Sequence, residues 1–252
     1  MSNSSDLRAF GGICRLYGNA AYEQLRRSHV CVVGLGGVGS WCAEALARSG
    51  VGRLTLIDGD TVAPSNLNRQ LPALVGTIGR HKAAVLAERF AQINPDCRIE
   101  TITAFVEAEN PGRLIPEDAL IIDAIDSMAA KAALIAWARH QKRAIIVSGG
   151  AGGRIDPTRV QVADIAKVAG DPLLGKLRSV LRKDYGFPPG HNDPKRVRPF
   201  GIMAAYSDEP ARGCAADAVE EAGIGAGFGT SMIVTATLGL RLASIAVDTL
   251  TR

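Results

Sequence analysis

The stretch from residue 30 to residue 70 constrains this chain more than any other. An apolar run, Val30–Val33, leads into a glycine-rich loop with Gly34, Gly36, Gly37 and Gly39, and a second apolar run ends at Asp58. Glycines suit such a loop because a side chain would keep the backbone away from a phosphate, and the N–H groups at a helix start point at the anion. Asp58 follows at about the 20-residue distance of the dinucleotide fingerprint, where an acid binds the ribose. A nucleotide is predicted, but the loop alone does not separate NAD, FAD and ATP.

Short β-branched runs alternate with longer helical patterns over the first two thirds of the chain. The predicted strands lie near 30–34, 53–57, 98–103, 119–123 and 143–148, and the predicted helices near 39–49, 79–93 and 128–141. This alternation predicts an α/β fold with a Rossmann-like, doubly wound, mainly parallel sheet. A helix is also predicted from about residue 19 to 27, and a Gly-rich turn after residue 148 predicts one more strand. We expect a single domain over 1–252.

Two stretches fit the alternation less well. Residues 188–213 are rich in Pro, Gly, His, Asn and charge, which predicts an irregular insertion, a flexible loop. Residues 223–246 are mostly small and apolar and approach the length of a membrane span. Because glycines cluster at its start and Arg241 lies inside it, we favour a C-terminal apolar helix buried in the core or in a subunit interface over a transmembrane helix.

Composition excludes several classes of protein. The chain has 252 residues, 47% of them hydrophobic and 21% charged, which is enough for a core and too little charge for a disordered chain. Its five cysteines are scattered without a CxxC pair, so neither a disulfide framework nor a structural zinc site is predicted. A cytoplasmic location is expected, since no secretory segment is visible. The net charge of +4 permits a polyanionic partner without requiring one.

The residues that follow Asp58 favour ATP over a redox dinucleotide. Polar side chains are dense there, namely Asp60, Asn66, Asn68, Arg69 and Gln70. A hydride-transfer enzyme has no need of this set, whereas a triphosphate needs polar groups beyond the glycine loop to hold its terminal phosphates. Lys82 is predicted in the first turn of the next helix, where the helix dipole also favours anions. Taken singly, Arg69 and Lys82 would be solvated surface charges; in this order after the glycine loop, they predict phosphate binding.

Two acidic residues close the next predicted strand. Asp123 and Asp126 fall at the carboxyl end of a central strand, the edge of an open α/β sheet where ligands bind. Carboxylate oxygen suits Mg²⁺, and whichever residue is not the metal ligand would cap the following helix. The pattern alone leaves open which of the two is the metal ligand.

These motifs together resemble the E1-like family of adenylating enzymes, which includes ubiquitin activators and the activators of sulfur-carrier proteins. The matching parts are GLGGVGS, Asp58 with Asp60, NLNRQ, Lys82 and Asp126. The resemblance implies ATP on the glycine loop, ribose on Asp58, phosphates on Arg69 and Lys82, Mg²⁺ on Asp126, and Arg15 reaching the triphosphate from the second subunit of a homodimer. The implied catalytic residues are Arg15, Arg69, Lys82 and Asp126. The implied cofactor-binding residues are Gly34, Gly36, Gly37, Gly39, Asp58, Asp60, Asn66, Asn68, Arg69, Gln70 and Lys82.

Longer segments resemble one subgroup of this family, the dehydratases that act on threonylcarbamoyladenosine in tRNA. They lie at 10–18, 92–95, 124–135, 149–164, 171–178 and 227–239, and the resemblance is weakest over 188–213. It implies a ligase-type enzyme that adenylates the carboxylate of the modified nucleoside and then closes a ring with loss of water. Whether a monovalent cation organises the GGAGG turn, residues 149–153, stays open.

Several alternatives stay open at this point. Cys214 is either a nucleophile or persulfide carrier, with a cysteine desulfurase or sulfur acceptor as partner, or has no chemical role, which we favour. A basic stretch either contacts tRNA or is a solvated face: Lys176, Arg178, Arg182, Lys183, Lys195, Arg196 and Arg198. Rival functions are activation of the C-terminus of a ubiquitin-like sulfur carrier, NAD-dependent oxidoreduction, and a non-catalytic nucleotide-binding adaptor.

Overall fold

A computed structural model describes residues 4–213 and 228–252 of the chain. Its helices are α1 (Ser4–Tyr17), α2 (Asn19–Arg27), α3 (Gly39–Arg48), α4 (Lys82–Ile93), α5 (Pro111–Leu114), α6 (Met128–His140), α7 (Pro172–Asp184) and α8 (Met232–Leu250). Its strands are β1 (His29–Val33), β2 (Arg53–Ile57), β3 (Arg98–Ile102), β4 (Leu120–Asp123), β5 (Ile145–Ser148), β6 (Val160–Asp164) and β7 (Met203–Ser207).

The strands form one sheet in the order β3-β2-β1-β4-β5-β7-β6, and only β6 runs antiparallel to its neighbour. The chain moves outward on one side of β1 and returns to pair β4 on the other, which is the arrangement that opens a ligand crevice at the carboxyl ends of the strands. The register pairs Val33 with both Ile57 and Asp123. The three strands therefore end level, and the segments that follow them meet at one edge. The predicted Rossmann-like fold is confirmed.

Successive side chains of the central strands point to opposite faces of the sheet and pack into two apolar layers. Val30 and Val32 pack on one face with residues of α3, α4 and α8, while Cys31 and Val33 pack on the other with residues of α6 and α7. This two-sided burial explains why the central strands read as continuous apolar runs. Because helices cover both faces, the open edge of the sheet is the place left for a ligand.

Helix α8 is the one helix within the described residues that is long and apolar enough to cross a bilayer. It lies against α3 and strands β5, β6 and β7, and half of its most apolar window is buried. A side chain at Gly239 would meet the carbonyl of Val38, so the two helices cross at close range. The predicted buried packing helix is therefore confirmed, although it begins at Met232, where Ser231 caps it, and extends to Leu250.

Three other predictions need correction. Helix α1 was not predicted, because Gly11 and Gly12 disfavour a helix in isolation; packing of Phe10 against Tyr22, with ring centroids 6.0 Å apart, supplies the missing support. Strand β7 lies inside the predicted 188–213 loop, and its small residues Ala204 and Ala205 hid a strand that is buried between two neighbours. Helix α4 begins at Lys82 rather than at residue 79.

The remaining insertion, from residue 186 to 202, is irregular and is held at both ends. The rings of Phe187 and Phe200 lie 4.8 Å apart, and the Arg139 guanidinium lies 4.1 Å from the Phe187 ring centroid. The Asp164 carboxylate accepts the backbone N–H groups of Phe200, Gly201 and Ile202 at 2.7–3.1 Å. Mobility of the segment between these anchors stays a prediction.

Candidate active site

The glycine loop folds over the ends of β1 and β4 at a distance that no side chain permits. Gly34 adopts a φ of +86°, and a Cβ there would lie 2.8 Å from the carbonyl oxygen of Ala124. A Cβ on Gly39 would lie 1.8 Å from the carbonyl oxygen of Gly34. Gly39 is therefore required for packing of α3 against the loop, while Gly36 and Gly37 face the crevice. The start of α3 lies at the same edge, and a helix N-terminus suits an anion.

A cavity of about 650 Å³ opens at this edge of the sheet. Ten of the predicted site residues line it: Gly34, Gly36, Gly37, Asp58, Asp60, Asn66, Arg69, Gln70, Lys82 and Asp126. Three predicted residues do not line it. Gly39 lies behind the loop, Asn68 donates its amide to the carbonyl of Thr230 at 2.9 Å, and Arg15 is exposed at the end of α1.

Asp58 is the buried acid of the site. One carboxylate oxygen accepts the backbone N–H of Leu35 at 2.6 Å, and the other accepts that of Asp60 at 2.8 Å. These bonds fix the carboxylate against the glycine loop. Each oxygen keeps a second lone pair, so Asp58 can still accept hydrogen bonds from the hydroxyls of a ribose.

Lys82 is the buried cation of the site. It is the first residue of α4, only 4% exposed, and its ammonium lies 2.9 Å from the half-exposed carboxylate of Asp60. The positive end of the helix lies at the same point, so charge and dipole both favour an anion there. Asp60 holds the ammonium at the cavity wall.

Some residues of the NLNRQ segment stabilise its backbone, and others place polar groups at the cavity. Asn66 accepts the backbone N–H of Ala63 at 3.0 Å, which closes the short 3₁₀ turn that precedes Arg69. The Arg69 guanidinium donates to the carbonyl of Ser65 at 2.7 Å, and the Trp41 indole donates to the Arg69 carbonyl at 3.0 Å. Gln70 is buried and its Oε1 has no donor among the described residues. Arg69 and Gln70 therefore present polar groups on a braced turn.

The two acids after β4 have different roles. Asp123 is fully buried, its Oδ2 lies 3.0 Å from the ammonium of the equally buried Lys131, and its Oδ1 accepts the N–H of Ile125 at 3.0 Å. Burial raises the pKa of the Asp123 carboxyl, and the Lys131 charge opposes that rise. Asp126 is exposed in the cavity and makes no hydrogen bond or ion pair with a described residue. The structure thus places Asp126, and not Asp123, where a ligand can reach it.

Other lining residues were not predicted. They come from the loop after β3 (Ala104–Glu107), the turn after β5 (Ser148–Gly152), the start of α7 (Leu173) and the start of α8 (Thr230 and Thr235). Phe105 is 58% exposed and lies against Gly59 beside Asp58, so a flat apolar surface flanks this carboxylate. Strand order was the signal that could have found them, because the segments after all parallel strands meet at the same edge.

The described cysteines lie away from this chemistry. Burial raises the pKa of the Cys31 and Cys42 thiols well above their ordinary value, and that of Cys97 to about 11. These three side chains are thiols near neutral pH, whereas the thiolate is the nucleophile. Cys14 lies on α1, and Cys214 lies outside the described residues. No described cysteine lines the cavity.

Two side chains of the predicted basic stretch hydrogen-bond to backbone carbonyls, and the others are exposed. Arg178 donates to the carbonyls of Ile165 and Val168 at 3.1 and 2.7 Å, and burial lowers the pKa of its guanidinium. Arg182 donates to the carbonyl of Pro188 at 3.0 Å. The remaining five side chains are exposed: Lys176, Lys183, Lys195, Arg196 and Arg198.

Comparison with known proteins agrees with this geometry. The model of the ThiF family matches residues 12–196. The tRNA threonylcarbamoyladenosine dehydratase of Haemophilus influenzae is 46% identical over 248 residues, which cover 96% of this chain and 92% of that protein. The crystal structure of the Escherichia coli tRNA N6-threonylcarbamoyladenosine dehydratase in complex with ATP is 42% identical, has a TM-score of 0.87, and covers 99% of this chain and 96% of that one. The same enzyme in complex with AMP gives a TM-score of 0.89. The chain belongs to the ThiF family.

Proposed function

We propose that this chain is an ATP-dependent tRNA threonylcarbamoyladenosine dehydratase. One observation carries the proposal: the glycine loop, Lys82, Arg69 and Asp126 line the same cavity. The Asp126 carboxylate has no partner among the described residues. Relatives that share 42–46% of their residues over nearly the whole chain are dehydratases of this name, one of them solved with ATP and with AMP.

The cavity has a nucleotide end and an acceptor end. Asp58 and Phe105 would hold the ribose and the adenine, the glycine loop would hold the α-phosphate, and Arg69 and Lys82 would hold the terminal phosphates. The Ser148–Gly152 turn and Leu173 lie at the other end and leave room for the acceptor carboxylate. The modified nucleoside would therefore approach from the β5 side of the sheet.

Asp126 is a suitable ligand for magnesium. The described residues contain no cluster of three acidic, histidine or cysteine ligands, but Mg²⁺ usually takes one or two carboxylates plus substrate phosphates. The Asp126 carboxylate meets this need, since nothing among the described residues engages it. When bound, the ion would offset the negative charge of the departing pyrophosphate.

The reaction follows from the arrangement. A carboxylate is a poor electrophile, because it would have to expel an oxide. Its oxygen attacks the α-phosphorus of ATP, the bond to the β-phosphate breaks, and pyrophosphate leaves against Arg69 and Lys82. An atom within the threonylcarbamoyl group then attacks the acyl carbon, a ring closes, and AMP departs with the former carboxylate oxygen. Positioning and charge stabilisation are the protein's contribution, and no protein nucleophile is needed.

A homodimer completes the proposed site. Arg15 is exposed and lies outside the cavity of its own chain, and beside it Leu16 and Tyr17 are 73% and 43% exposed. Exposed apolar side chains next to a cation are expected where a second copy packs. Arg15 would then act in the cavity of the other subunit. The cytoplasm, where tRNA is modified, is the proposed location.

The exposed basic side chains would contact the tRNA backbone. Helix α7 starts at the cavity and ends roughly 18 Å away at Asp184, and Lys195 and Arg196 lie in the irregular segment that follows it. We expect the double variant K195E/R196E to weaken RNA binding by at least about tenfold and to lower the salt dependence of binding by roughly one unit of slope per lost phosphate contact. Fluorescence anisotropy at several salt concentrations measures both.

The matched control reverses two exposed charges on the β2/β3 side of the sheet, Arg27 and Arg98. Both variants change the net charge equally, so a general electrostatic effect would weaken RNA binding in the two alike. Equal weakening would contradict a contact surface beside α7.

The decisive test of the activity uses purified chain, Mg·ATP and tRNA that carries threonylcarbamoyladenosine. We expect the modified nucleoside to become lighter by one water, with one AMP and one pyrophosphate released for each conversion, as read by mass spectrometry of digested tRNA. The same measurement on tRNA from cells with and without the gene checks it in vivo. An unchanged nucleoside together with intact ATP binding would rule out this acceptor.

The rival hypotheses predict different experimental results. Activation of a sulfur carrier predicts pyrophosphate exchange that depends on a carrier protein and ignores tRNA. An oxidoreductase would bind NADH and not ATP, and an adaptor would keep its cellular role when Arg69 and Asp126 are replaced by alanine. A cysteine desulfurase partner would leave a persulfide on Cys214, visible in the mass of the intact protein, and an unmodified Cys214 would exclude it.

A further inference from the structure

Three oxygen groups converge beneath the Gly149–Gly153 turn, and a single guanidinium fills the space between them. Arg154 is 3% exposed. Its Nε donates to the carbonyl of Glu209 at 3.2 Å, its Nη1 donates to the carbonyl of Gly150, and its Nη2 lies 3.4 Å from the carboxylate of Asp171. Two carbonyls and a carboxylate thus face one buried positive charge.

The same groups hold the acceptor end of the cavity. Asp171 accepts the N–H of Gly150 at 3.0 Å with one oxygen and caps α7 by accepting the N–H of Leu174 at 3.0 Å with the other. The Glu209 carboxylate accepts the N–H groups of Ile155 and Asp156 at 3.0 and 2.9 Å. The turn after β5, the start of α7 and the segment after β7 are therefore tied together through one cluster.

A monovalent cation, which the sequence left open for this turn, does not fit beside that guanidinium. Carbonyl and carboxylate oxygens are the donors that hard cations take. Here the oxygens of Gly150, Glu209 and Asp171 are already directed at Arg154, and a second positive charge in the same buried space would be repelled.

We propose that Arg154 is the built-in cation of this turn, a positioning residue that holds the acceptor wall of the cavity and removes any need for a bound monovalent ion. The proposal concerns the turn and does not depend on which acceptor the enzyme uses. Removing the guanidinium leaves three oxygens facing a buried void, and such a set should then recruit K⁺ or Na⁺ from solution.

The test compares melting temperatures in KCl, NaCl and choline chloride at equal ionic strength. We expect the natural chain to melt within about 1 °C in all three salts. Arg154→Ala is expected to melt roughly 10 °C lower in choline chloride, because Asp171 is left buried and unpaired, and to regain several degrees in KCl or NaCl. Arg159→Ala is the matched control, since Arg159 is an exposed partner of Asp208 in the same region and its loss should leave the melting temperature independent of the cation.

Arg154→Lys serves if the alanine variant does not fold, because it keeps the charge and should remain independent of the cation. A kinetic readout separates this role from a general loss of stability: at a temperature where Arg154→Ala is folded, turnover of the acceptor should fall about tenfold while KM for ATP changes less than about twofold. Specific stabilisation of the natural chain by K⁺, an alanine variant that K⁺ does not restabilise, or a defect confined to KM for ATP would each overturn the proposal. The thermal measurements stand even if the tRNA reaction is not observed.

Discussion

Replacing Lys82 by methionine is expected to lower kcat about 10³-fold with little loss of folding stability. Lys82 is 4% exposed at the first residue of α4, and its ammonium faces the cavity beside Asp60. A preorganised buried cation that meets developing phosphate charge is typically worth two to three orders of magnitude in rate, about 10²–10³. Methionine keeps the apolar stem, and Asp60 has a half-exposed side chain that water can solvate once its partner is gone. Single-turnover release of AMP from labelled ATP measures the effect on chemistry.

The control for this variant is Arg80→Met. Arg80 lies two residues earlier, is exposed, and pairs with Glu88 on the outer side of α4. It removes the same charge from the same helix start without touching the cavity, so AMP release should stay within about twofold of normal, as is usual for surface substitutions. If K82M and R80M were equally active, Lys82 would be a structural partner of Asp60 and the phosphate assignment would be wrong.

The nucleotide half of the site was predictable from the sequence because its determinants are local. Gly34 and Gly39 face neighbours in their own loop or directly after the adjacent strand β4, and Asp58 follows a strand whose register with β1 sets its position at the sheet edge. Such features depend on backbone conformation and on parallel pairing, both of which leave a spacing in the sequence. The order of glycines, acid, polar run and lysine therefore carried most of the prediction.

The buried charges were not predictable in the same way. Nothing local marks Lys131 as fully buried, and Asp123 and Asp126 look equivalent in the sequence; only the packing of α6 on the sheet brings Lys131 to within 3.0 Å of Asp123. Arg154 is a similar case, since its partners Asp171 and Glu209 lie on distant segments. Which face of a helix meets the sheet is a tertiary property, so a sequence pattern names the charged residues without saying which become buried pairs.

The difference between the buried Asp123 and the exposed Asp126 leads to the second large prediction. Asp126→Asn is expected to lower kcat by about 10²–10³-fold and to weaken the magnesium dependence of ATP binding. Asparagine has the same size and keeps the exposed turn after β4, but a neutral amide is a poorer ligand for Mg²⁺ than a carboxylate. Because Asp126 has no partner among the described residues, its replacement should leave the melting temperature almost unchanged. Calorimetric titration of ATP with and without Mg²⁺, combined with the AMP-release assay, checks both parts.

Asp96→Asn controls for the loss of a carboxylate, because Asp96 is exposed and lies outside the cavity.

Subunit mixing tests whether Arg15 of one subunit acts in the cavity that contains Asp126 of the other. If Arg15 acts across a dimer, D126N and R15A are each inactive, but a mixed dimer contains one pocket with Asp126 and the other subunit's Arg15 both intact. Half of the dimers in an equal mixture are mixed, and each has one restored site, so activity should recover to about a quarter of normal. A mixture no more active than its components would mean that Arg15 does not cross the interface, and a fully active D126N would move the magnesium ligand elsewhere in the cavity.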